Sequence, residues 1–303
     1  MLADTLRTDR HRLRPLEPDT AATVALRSAV RARKNLVEHR IALGNQLRAH
    51  LQSFHPPPVG LFDELDNQIS LTFLARFDCQ NRLDWLTPTR LGAFLAKARY
   101  SGHVDPAVLH ARITAAPRGA GDELGAITAE VTRALVGAVQ GVLAQIAALN
   151  KVIARQLAAH VDGHIFTSLP RSGTVRAARL LAEIGDARGR YPTPETLACA
   201  AGVVPSTRQS GKLKVVSFRF AVDKQLRDAV VEFAGDSRLS NPWAADIYRR
   251  AIARGHDHPH AVRVLARAWI YVIWHCWQDH QPYRPERHRA LQRLAQPLVA
   301  AAS

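Results

Sequence analysis

The sequence is poor in the residues that build metal sites and disulfide frameworks. Its 303 residues include only three cysteines, Cys79, Cys199 and Cys276, which lie far apart and form no CxxC pair. We therefore expect neither a zinc finger nor a disulfide framework, and a reducing cytoplasm is the natural setting. Clustered carboxylates suited to two-metal phosphoryl chemistry do not stand out either. The sequence thus predicts no metal site and no cofactor of its own.

Long hydrophobic runs are also missing. The most apolar late segment, VLARAWIYVIWHCW, is interrupted by Arg267 and is too short to span a bilayer. The opening residues, MLADTLRTDRHRLRPL, carry charges throughout, which is not the pattern of a signal peptide. We therefore predict a soluble cytoplasmic protein without a membrane partner.

Positive charge is what the chain has in excess. Lys and Arg number 41 against 26 Asp and Glu, which gives a formal net charge of +15 and a pI near 10.7. An excess of this size favours a polyanionic partner, most often nucleic acid. Because Arg dominates Lys, codon bias in a GC-rich genome is a second explanation. A hydrophobic content of 47% is typical of a packed globular protein.

Hydrophobic periodicity predicts a mainly α protein that begins with a long helix. Residues 1–19 are typical of the end of a preceding domain, and we interpret them as a remnant of one. A helix over about 20–52 follows, and the prolines of FHPPPVG end it. Its predicted apolar face consists of Val24, Val30, Val37, Ile41 and Leu51.

A second long helix is predicted from Asp122 to about His160. Its apolar residues recur at nearly heptad spacing: Val131, Leu135, Val139, Val142, Ile146, Leu149, Ile153 and Leu157. Turn signals divide residues 61–116 into shorter helices. We predict an antiparallel coiled-coil arm over 20–160 with an inserted helical tip at 61–116; a plain helical bundle is the alternative.

A compact helical domain is predicted over 161–290, followed by a tail at 291–303. It opens with LPRSGTVRAARLLAEIG, a turn and a small-residue helix typical of a helix-hairpin-helix element. Such an element holds a phosphate on backbone amides at the helix N-terminus. The candidate contacts are Arg171, Ser172, Gly173 and Arg176, although Arg171 replaces the usual first glycine. Plain helix capping is the alternative.

The stretch PSTRQSGKLKVVSFR places three hydroxyls, Ser206, Thr207 and Ser210, in a basic loop. Most such loops are solvated turns or position phosphates. A sharper interpretation is a serine nucleophile whose attack is assisted by neighbouring cations. These residues alone do not decide between the two, and the candidate phosphate contacts are Arg208, Gly211, Lys212, Lys214 and Arg219. The only strand-like run is VVSFRF (215–220).

Two other patterns have ordinary structural explanations. GHDHPHA carries His256, His258 and His260 at alternate positions, and we interpret it as a polar helix start rather than a metal site. Trp269, Tyr271, Trp274 and Trp277 lie among aliphatic residues at helical spacing. We therefore expect them to pack in a core rather than stack on bases.

Taken in order, residues 160–288 resemble a known family. The resemblance rests on four stretches, LPRSGTVRAARLLAEIGDARGRYPTPETLACAAGVVPSTRQSGK, VVSFR, DKQLRDAV and NPWAADIYRRAIARG. They are similar to the C-terminal domain of insertion-sequence transposases that join an N-terminal DEDD, RuvC-like domain to a serine-bearing domain. Pilin-gene invertases are relatives, and several members are called bridge-RNA-guided recombinases.

The resemblance implies a reaction and selects a residue. In that family a serine attacks the DNA strand and forms a covalent phosphoserine link, while the RuvC-like domain holds Mg²⁺ through four acidic residues. The serine motif stands here as RQSGK, so the resemblance selects Ser210, with Arg208 and Lys212 expected at the scissile phosphate. Implied partners are DNA, a guide RNA, and a second copy or a full-length transposase bound through the helical arm.

The chain departs from the family pattern at its start. The last metal-binding acids of the family precede a segment like MLADTLRTDRHRLRPL, so Asp4 does not match a metal ligand. We therefore expect the RuvC-like domain to be missing and the chain to be truncated and inactive alone. The alternative function is a non-catalytic DNA- or RNA-binding remnant that interferes with full-length transposase.

Overall fold

The computed structural model describes residues 2–12, 15–211 and 213–295, and it confirms the predicted mainly α fold. The first seven helices, α1 to α7, span Leu2–Thr8, Ala21–Phe54, Gln68–Arg76, Gln80–Asp84, Pro88–Lys97, Pro106–Ala115 and Asp122–Ala159. The next seven, α8 to α14, span Gly163–Thr167, Thr174–Ile184, Pro194–Ala200, Lys224–Ser237, Pro242–Ala253, His258–Gln278 and Arg289–Ala295. Two strands form a hairpin, β1 (Ser206–Ser210) and β2 (Leu213–Ser217), and 3-10 turns lie at Arg10–Arg12, Arg188–Arg190 and Pro285–Arg287.

The chain folds into two compact units. The larger unit combines Met1–Arg31 with Asn150–Ser303, and the smaller unit is Ala32–Leu149. Helices α2 and α7 contribute residues to both units. The extents predicted for the two long helices, 20–52 and 122–160, agree with α2 and α7 to within two residues.

The smaller unit is built on the pairing of α2 with α7. His50 on α2 contacts the Thr128 carbonyl and the Thr132 hydroxyl on α7 at 3.1 and 3.0 Å. The Phe54 carbonyl, at the end of α2, accepts a hydrogen bond from Ala120, just before α7 begins. The end of α2 therefore lies beside the start of α7, so the two segments run antiparallel within this unit.

Four short helices, α3 to α6, occupy the predicted tip region. Their core is rich in aromatic residues, and Phe73, Phe77 and Phe94 contact one another with ring centroids 4.8 to 5.6 Å apart. Aromatic contacts of this kind add to the stabilisation from buried area. The prediction of several short helices in this region is confirmed.

The buried row of α7 follows a seven-residue repeat. Thr132, Val139, Ile146, Ile153 and His160, the last just past the helix end, recur at this spacing and are nearly inaccessible to solvent. Val139, Ile146, Ile153 and Leu157 were expected in the core and are buried, whereas Val131 is 41% exposed. A heptad row is what a coiled coil requires, although supercoiling of the arm stays a prediction.

The apolar face predicted for α2 is partly wrong. Val24 and Ile41 are each 52% exposed. The buried positions are Thr23, Leu26, Val30, Leu47 and Leu51. Thr23 is inside because its hydroxyl bonds His160 Nε2 at 2.8 Å. A hydrophobicity pattern misses such a residue, so the predicted face was rotated from the true one.

Helices α9, α11 and α13 form the core of the larger unit. Trp269 and Trp277 on α13 are completely buried, and the Trp269 indole donates to the Ser237 hydroxyl at 2.8 Å. Thr193 caps α10 as predicted, with Pro194 at its first position, and Gly185 ends α9 with φ +88°. Asp257 caps α13 by accepting from the His260 amide, so GHDHPHA is a helix start. The helix start is thus confirmed, and so is core packing for Trp269 and Trp277, whereas Tyr271 and Trp274 are only half-buried.

Residues 17–31 are bound into the larger unit by ion pairs. Asp19 contacts Arg27 at 2.5 Å and Arg190 at 3.1 Å, and Arg31 contacts Glu183 at 2.6 Å. Burial raises the pKa of Asp19, but hydrogen bonds from Arg27, Ala187 and Arg190 outweigh it, and the net pKa lies below the ordinary value. The first turns of α2 thus belong with α9, rather than only with an arm over 20–160.

One helix, α7, is long and apolar enough to cross a membrane by length and composition alone. Only 22% of its most apolar stretch is buried. Its contacts with α2 are those of a helix in a packed protein, so this feature does not indicate membrane insertion.

Candidate nucleic-acid interface

Ser210 lies at the tip of a β-hairpin. Strands β1 and β2 are antiparallel, and the last pair is Ser210 with Leu213. Only Gly211 and Lys212 remain for the turn, and Gly211 has φ +56°, which glycine adopts without strain. Two-residue turns of this kind are typical of tight hairpins. The RQSGK motif therefore places its serine directly before a reversal of the chain.

The observed strands differ from the predicted one. The run expected at 215–220 is a strand at Leu213–Ser217, and its partner Ser206–Ser210 was interpreted as a loop. The partner STRQS has no apolar alternation, because both faces of the hairpin are exposed. Its strand conformation comes from backbone pairing with β2, which a pattern of side chains does not reveal.

The register decides which residues accompany Ser210. Residues directly opposite each other share a face, and successive residues alternate. Ser206, Arg208 and Ser210 therefore lie on one face with Leu213 and Val215, since the pairs are Ser206–Ser217, Arg208–Val215 and Ser210–Leu213. Thr207 and Gln209 lie on the other face. Arg208 is thus the nearest described cation on the same strand face as Ser210.

Both faces of the hairpin are exposed to solvent. Leu213, Val216 and Phe220 are 67%, 59% and 77% exposed. In the described part of the chain, Ser210 and Arg208 form no side-chain hydrogen bond or ion pair. Because a two-stranded hairpin alone is marginal in water, its exposed apolar surface favours a bound partner. Lys212 lies outside the described residues, as does the Lys214 side chain.

The base of the hairpin is held by arginines. Arg219 Nε donates to the Val204 carbonyl at 3.3 Å, and Arg227 on α11 donates to the Arg219 carbonyl. The guanidinium groups of Arg227 and Arg263 lie 4.5 and 5.1 Å from the centroid of the Phe218 ring. Cation–π contacts of this kind order both partners. The projecting tip therefore has a fixed base.

The α8–turn–α9 segment contains the second group of predicted residues. Arg171 adopts a left-handed conformation with φ +55°, which suits a glycine at this point. Gly173 is the N-cap residue of α9 and, as a glycine, provides no side-chain hydrogen bond to the helix. Ser172 is 3% exposed, and its hydroxyl has no partner in the described residues. The turn thus takes the shape that glycine would give it, while its assignment as a helix-hairpin-helix stays a prediction.

Arg176 is committed to contacts inside the protein. One end of its guanidinium donates to the Arg171 carbonyl at 2.6 Å, and the other pairs with Asp236 on α11. This pair ties the turn before α9 to α11. The geometry therefore gives Arg176 a positioning role, whereas Arg171 is exposed and has no ion pair among the described residues.

The β-hairpin and the turn before α9 contact different ends of the same helix, α11. Arg227 holds the hairpin base and Asp236 holds Arg176, and these residues are nine positions apart on α11. At 1.5 Å per residue they are about 14 Å apart along the helix. No hydrogen bond, ion pair or ring contact joins the groups directly within the described ranges. At the 3.4 Å rise of duplex DNA, this spacing corresponds to about four base pairs.

The described residues offer no metal site. No three His, Cys, Asp or Glu side chains in 2–12, 15–211 and 213–295 are grouped so as to hold a metal ion. The donor groups present therefore do not fit the Mg²⁺ that the family resemblance implies, and we assign no reaction step to a metal.

Comparisons with known proteins identify two segments of the chain. Residues 163–249 match the family described as "Transposase IS116/IS110/IS902 family", and residues 1–56 match the N-terminal family DEDD_Tnp_IS110, described as "Transposase". The second match extends beyond 1–19 into α2. The N-terminal domain is thus present in part, and the expectation that it is missing was too strong.

Three relatives match nearly the whole chain. A mini-circle putative transposase for IS117 from Streptomyces coelicolor is 28% identical over 100% of this chain and 73% of its own length. An IS900 42 kDa protein from Mycobacterium paratuberculosis is 28% identical, over 94% of this chain and 71% of its own. An IS110 43.6 kDa protein from S. coelicolor is also 28% identical, over 92% and 69%. These matches favour an insertion-sequence transposase over a non-catalytic binding protein.

Proposed function

We propose that this chain, a transposase of the IS110/IS116 family, binds DNA through its larger unit and cuts a strand with Ser210. The observation that carries the proposal is the position of Ser210 at the exposed tip of the β-hairpin. Its hydroxyl has no partner in the described residues, and Arg208 shares its face. A nucleophile on a projecting, basic tip can approach a phosphodiester without rearranging the core.

The proposed chemistry is a transesterification. The Ser210 oxygen attacks a phosphorus atom, so a serine–phosphate bond forms and one phosphorus–oxygen bond of the strand breaks. The serine proton is released, and the departing strand end takes up a proton to become a free hydroxyl. Reversal with a different hydroxyl joins strands again, so the energy of the phosphodiester is retained. Cationic groups would stabilise the pentacovalent phosphate.

We assign the basic residues to two roles, catalysis at the scissile phosphate and binding of other phosphates. Arg208 and Lys212 flank Ser210 and would contact the scissile phosphate. Arg171 and the α9 N-terminus, with Ser172 and Gly173, would hold a phosphate further along the same DNA. We assign Lys214 and Arg219 to backbone phosphates near the hairpin. Contacts of this kind position DNA without reading its sequence.

We further propose that the arm pairs with a second copy. Leu124, Ile127 and Val131 form an exposed stripe on α7 at helical spacing, with 54%, 58% and 41% exposure. A similar apolar stripe on another chain would cover it.

A guide RNA, which the family resemblance also implies, would compete with DNA for the basic surface of the larger unit.

A covalent-adduct assay tests the nucleophile. The protein is incubated with Mg²⁺ and with DNA that contains an end of the insertion sequence and its flanking DNA. The mixture is then denatured, and protein-linked DNA is identified by gel shift and peptide mass spectrometry. Wild type should carry the strand on Ser210, and Ser210→Ala should give no adduct. Ser206→Ala changes a serine on the same face and should keep the adduct. An adduct in Ser210→Ala would contradict the assignment.

A further inference from the structure

A cavity of about 500 Å³ lies beneath the hairpin of the larger unit. Its walls come from three segments: residues 202–205 before β1, residues 216–219 at the end of β2, and α13. Its volume is in the range of pockets that bind small molecules. The proposed serine chemistry does not use its interior, and among the described residues Arg219 is the one proposed phosphate contact that lines it.

The walls combine an apolar slot with a cationic rim. Val204, Val216 and Val264 supply aliphatic surface, and Phe218 supplies an aromatic ring. Arg263 and Arg267 line the α13 side, and neither forms an ion pair within the described residues. An apolar slot next to arginines that form no ion pair among the described residues suits a ligand with a flat apolar part and an anionic part.

The rim charge at neutral pH comes from arginine. His260 also lines the cavity, and its ring stacks on His256 with centroids 4.0 Å apart. Burial, followed by the neighbouring His256 and Arg263, lowers the pKa of His260 below the ordinary value. This shift favours the uncharged form of His260, whose ring adds a flat surface to the rim.

We propose that this cavity receives one unstacked nucleotide of the DNA strand bound at the hairpin. The base would enter the slot between Val264 and Phe218, and its phosphate would contact Arg263 and Arg267. Bases placed against aromatic and apolar side chains are a common mode of single-strand binding. This inference rests on the proposed function only in taking DNA as the ligand.

The position of the cavity supports a role next to the cut. Leu213 is the strand partner of Ser210, and Val216 lies three residues further along β2. The distance from Leu213 to Val216 is therefore about 10 Å. This distance corresponds to about three base steps at 3.4 Å each. A nucleotide held there would fix the strand near the attacking hydroxyl and set its register.

Paired oligonucleotides test the cavity. One is a short single-stranded oligo(dT), and the other has the same length and charge but abasic sugars. Binding is measured by fluorescence anisotropy at fixed salt. Wild type should bind the base-bearing strand about tenfold more tightly, because stacking of a single base contributes about this much.

Two variants assign the preference to the cavity. Val264→Phe fills the slot and should remove the preference while binding to the abasic strand is unchanged. The control Val161→Phe adds the same ring at a position that is 71% exposed, and this variant should keep the preference for the base-bearing strand. If Val264→Phe fails to fold, Arg267→Ala, an exposed substitution, should weaken binding of thymidine monophosphate about tenfold.

The outcomes separate this inference from the proposed function. A preference that persists in Val264→Phe, or is absent in wild type, overturns the cavity assignment and leaves the serine chemistry intact. Binding of thymidine monophosphate without any base preference in the strand would mean that the cavity takes a free nucleotide, which also overturns it. A wild-type protein that forms no adduct on Ser210 but keeps the base preference would instead contradict only the serine chemistry.

Discussion

Arg171 is an exposed arginine with a strained backbone conformation. Its φ of +55° lies in the left-handed region, which costs a non-glycine residue about 1–2 kcal/mol. Its carbonyl accepts a hydrogen bond from Arg176, while its side chain is exposed and has no ion pair among the described residues. Its position next to a helix N-terminus, where backbone amides are open to an anion, is the reason for the proposed phosphate contact.

The first prediction separates the two roles of Arg171. Arg171→Gly should raise the free energy of unfolding by about 1 kcal/mol, because glycine adopts this conformation without strain. The same change should weaken DNA binding and reduce its salt slope by about one. Urea unfolding and salt-dependent anisotropy measure the two effects.

Arg99 provides a matched control in the smaller unit. It is an exposed arginine with φ +52°. Arg99→Gly should stabilise the protein in the same way but leave DNA binding unchanged. If Arg171→Gly binds DNA as tightly as wild type, the turn has no role in phosphate binding.

A second residue-scale prediction concerns Asp19. Because its folded pKa lies below the ordinary value, its contribution to stability is present above about pH 4 and is lost as pH falls through the folded pKa. Asp19→Asn breaks a buried ion pair and should cost about 3 kcal/mol at pH 7. The loss should shrink towards pH 3, as measured by urea unfolding at each pH. Asp4→Asn, whose pair with Arg7 is exposed, should change little.

At the scale of elements, α7 carries two separate surfaces. Its heptad row, from Thr132 to Ile153, is buried, and a separate stripe remains exposed. A helix that is apolar on more than one side needs a further partner. The membrane is a poor candidate because α7 packs on α2 through polar contacts such as His50 with Thr132.

Substitution of the exposed stripe tests self-association. Ile127→Lys should dissociate a dimer into monomers, since a charge would be buried in an apolar interface. Sedimentation equilibrium measures the change over a range of concentrations. Glu123→Lys changes a nearby exposed residue on α7 outside the stripe and should leave association intact. A monomeric wild type would rule out this role for α7.

At the scale of the molecule, the net charge of +15 has a measurable consequence. Binding through phosphates releases counterions, so the affinity should fall steeply as salt rises from 50 to 200 mM. Arg208→Ala should reduce the slope of log affinity against log salt by about 0.9, because one phosphate contact is lost. Salt-insensitive binding would contradict the phosphate contacts proposed for the larger unit.

Much of the fold could be read from the sequence because it depends on local rules. The bounds of α2 and α7, the cap at Thr193 and the buried tryptophans of α13 follow from periodicity, proline and capping residues. The likeness to a transposase family could also be recognised, because it rests on motifs in order along residues 160–288. The choice of Ser210 came from that resemblance and stays a prediction.

The tertiary structure decided what depends on contacts between distant residues. Thr23 is buried only because His160 bonds it from 137 positions away. STRQS becomes a strand only because β2 pairs with it, and that register places Arg208 rather than Thr207 on the face of Ser210. Arg176 pairs with Asp236 rather than standing free. Local sequence determined the helices of this protein, while long-range pairing determined which of its polar side chains remain available to DNA.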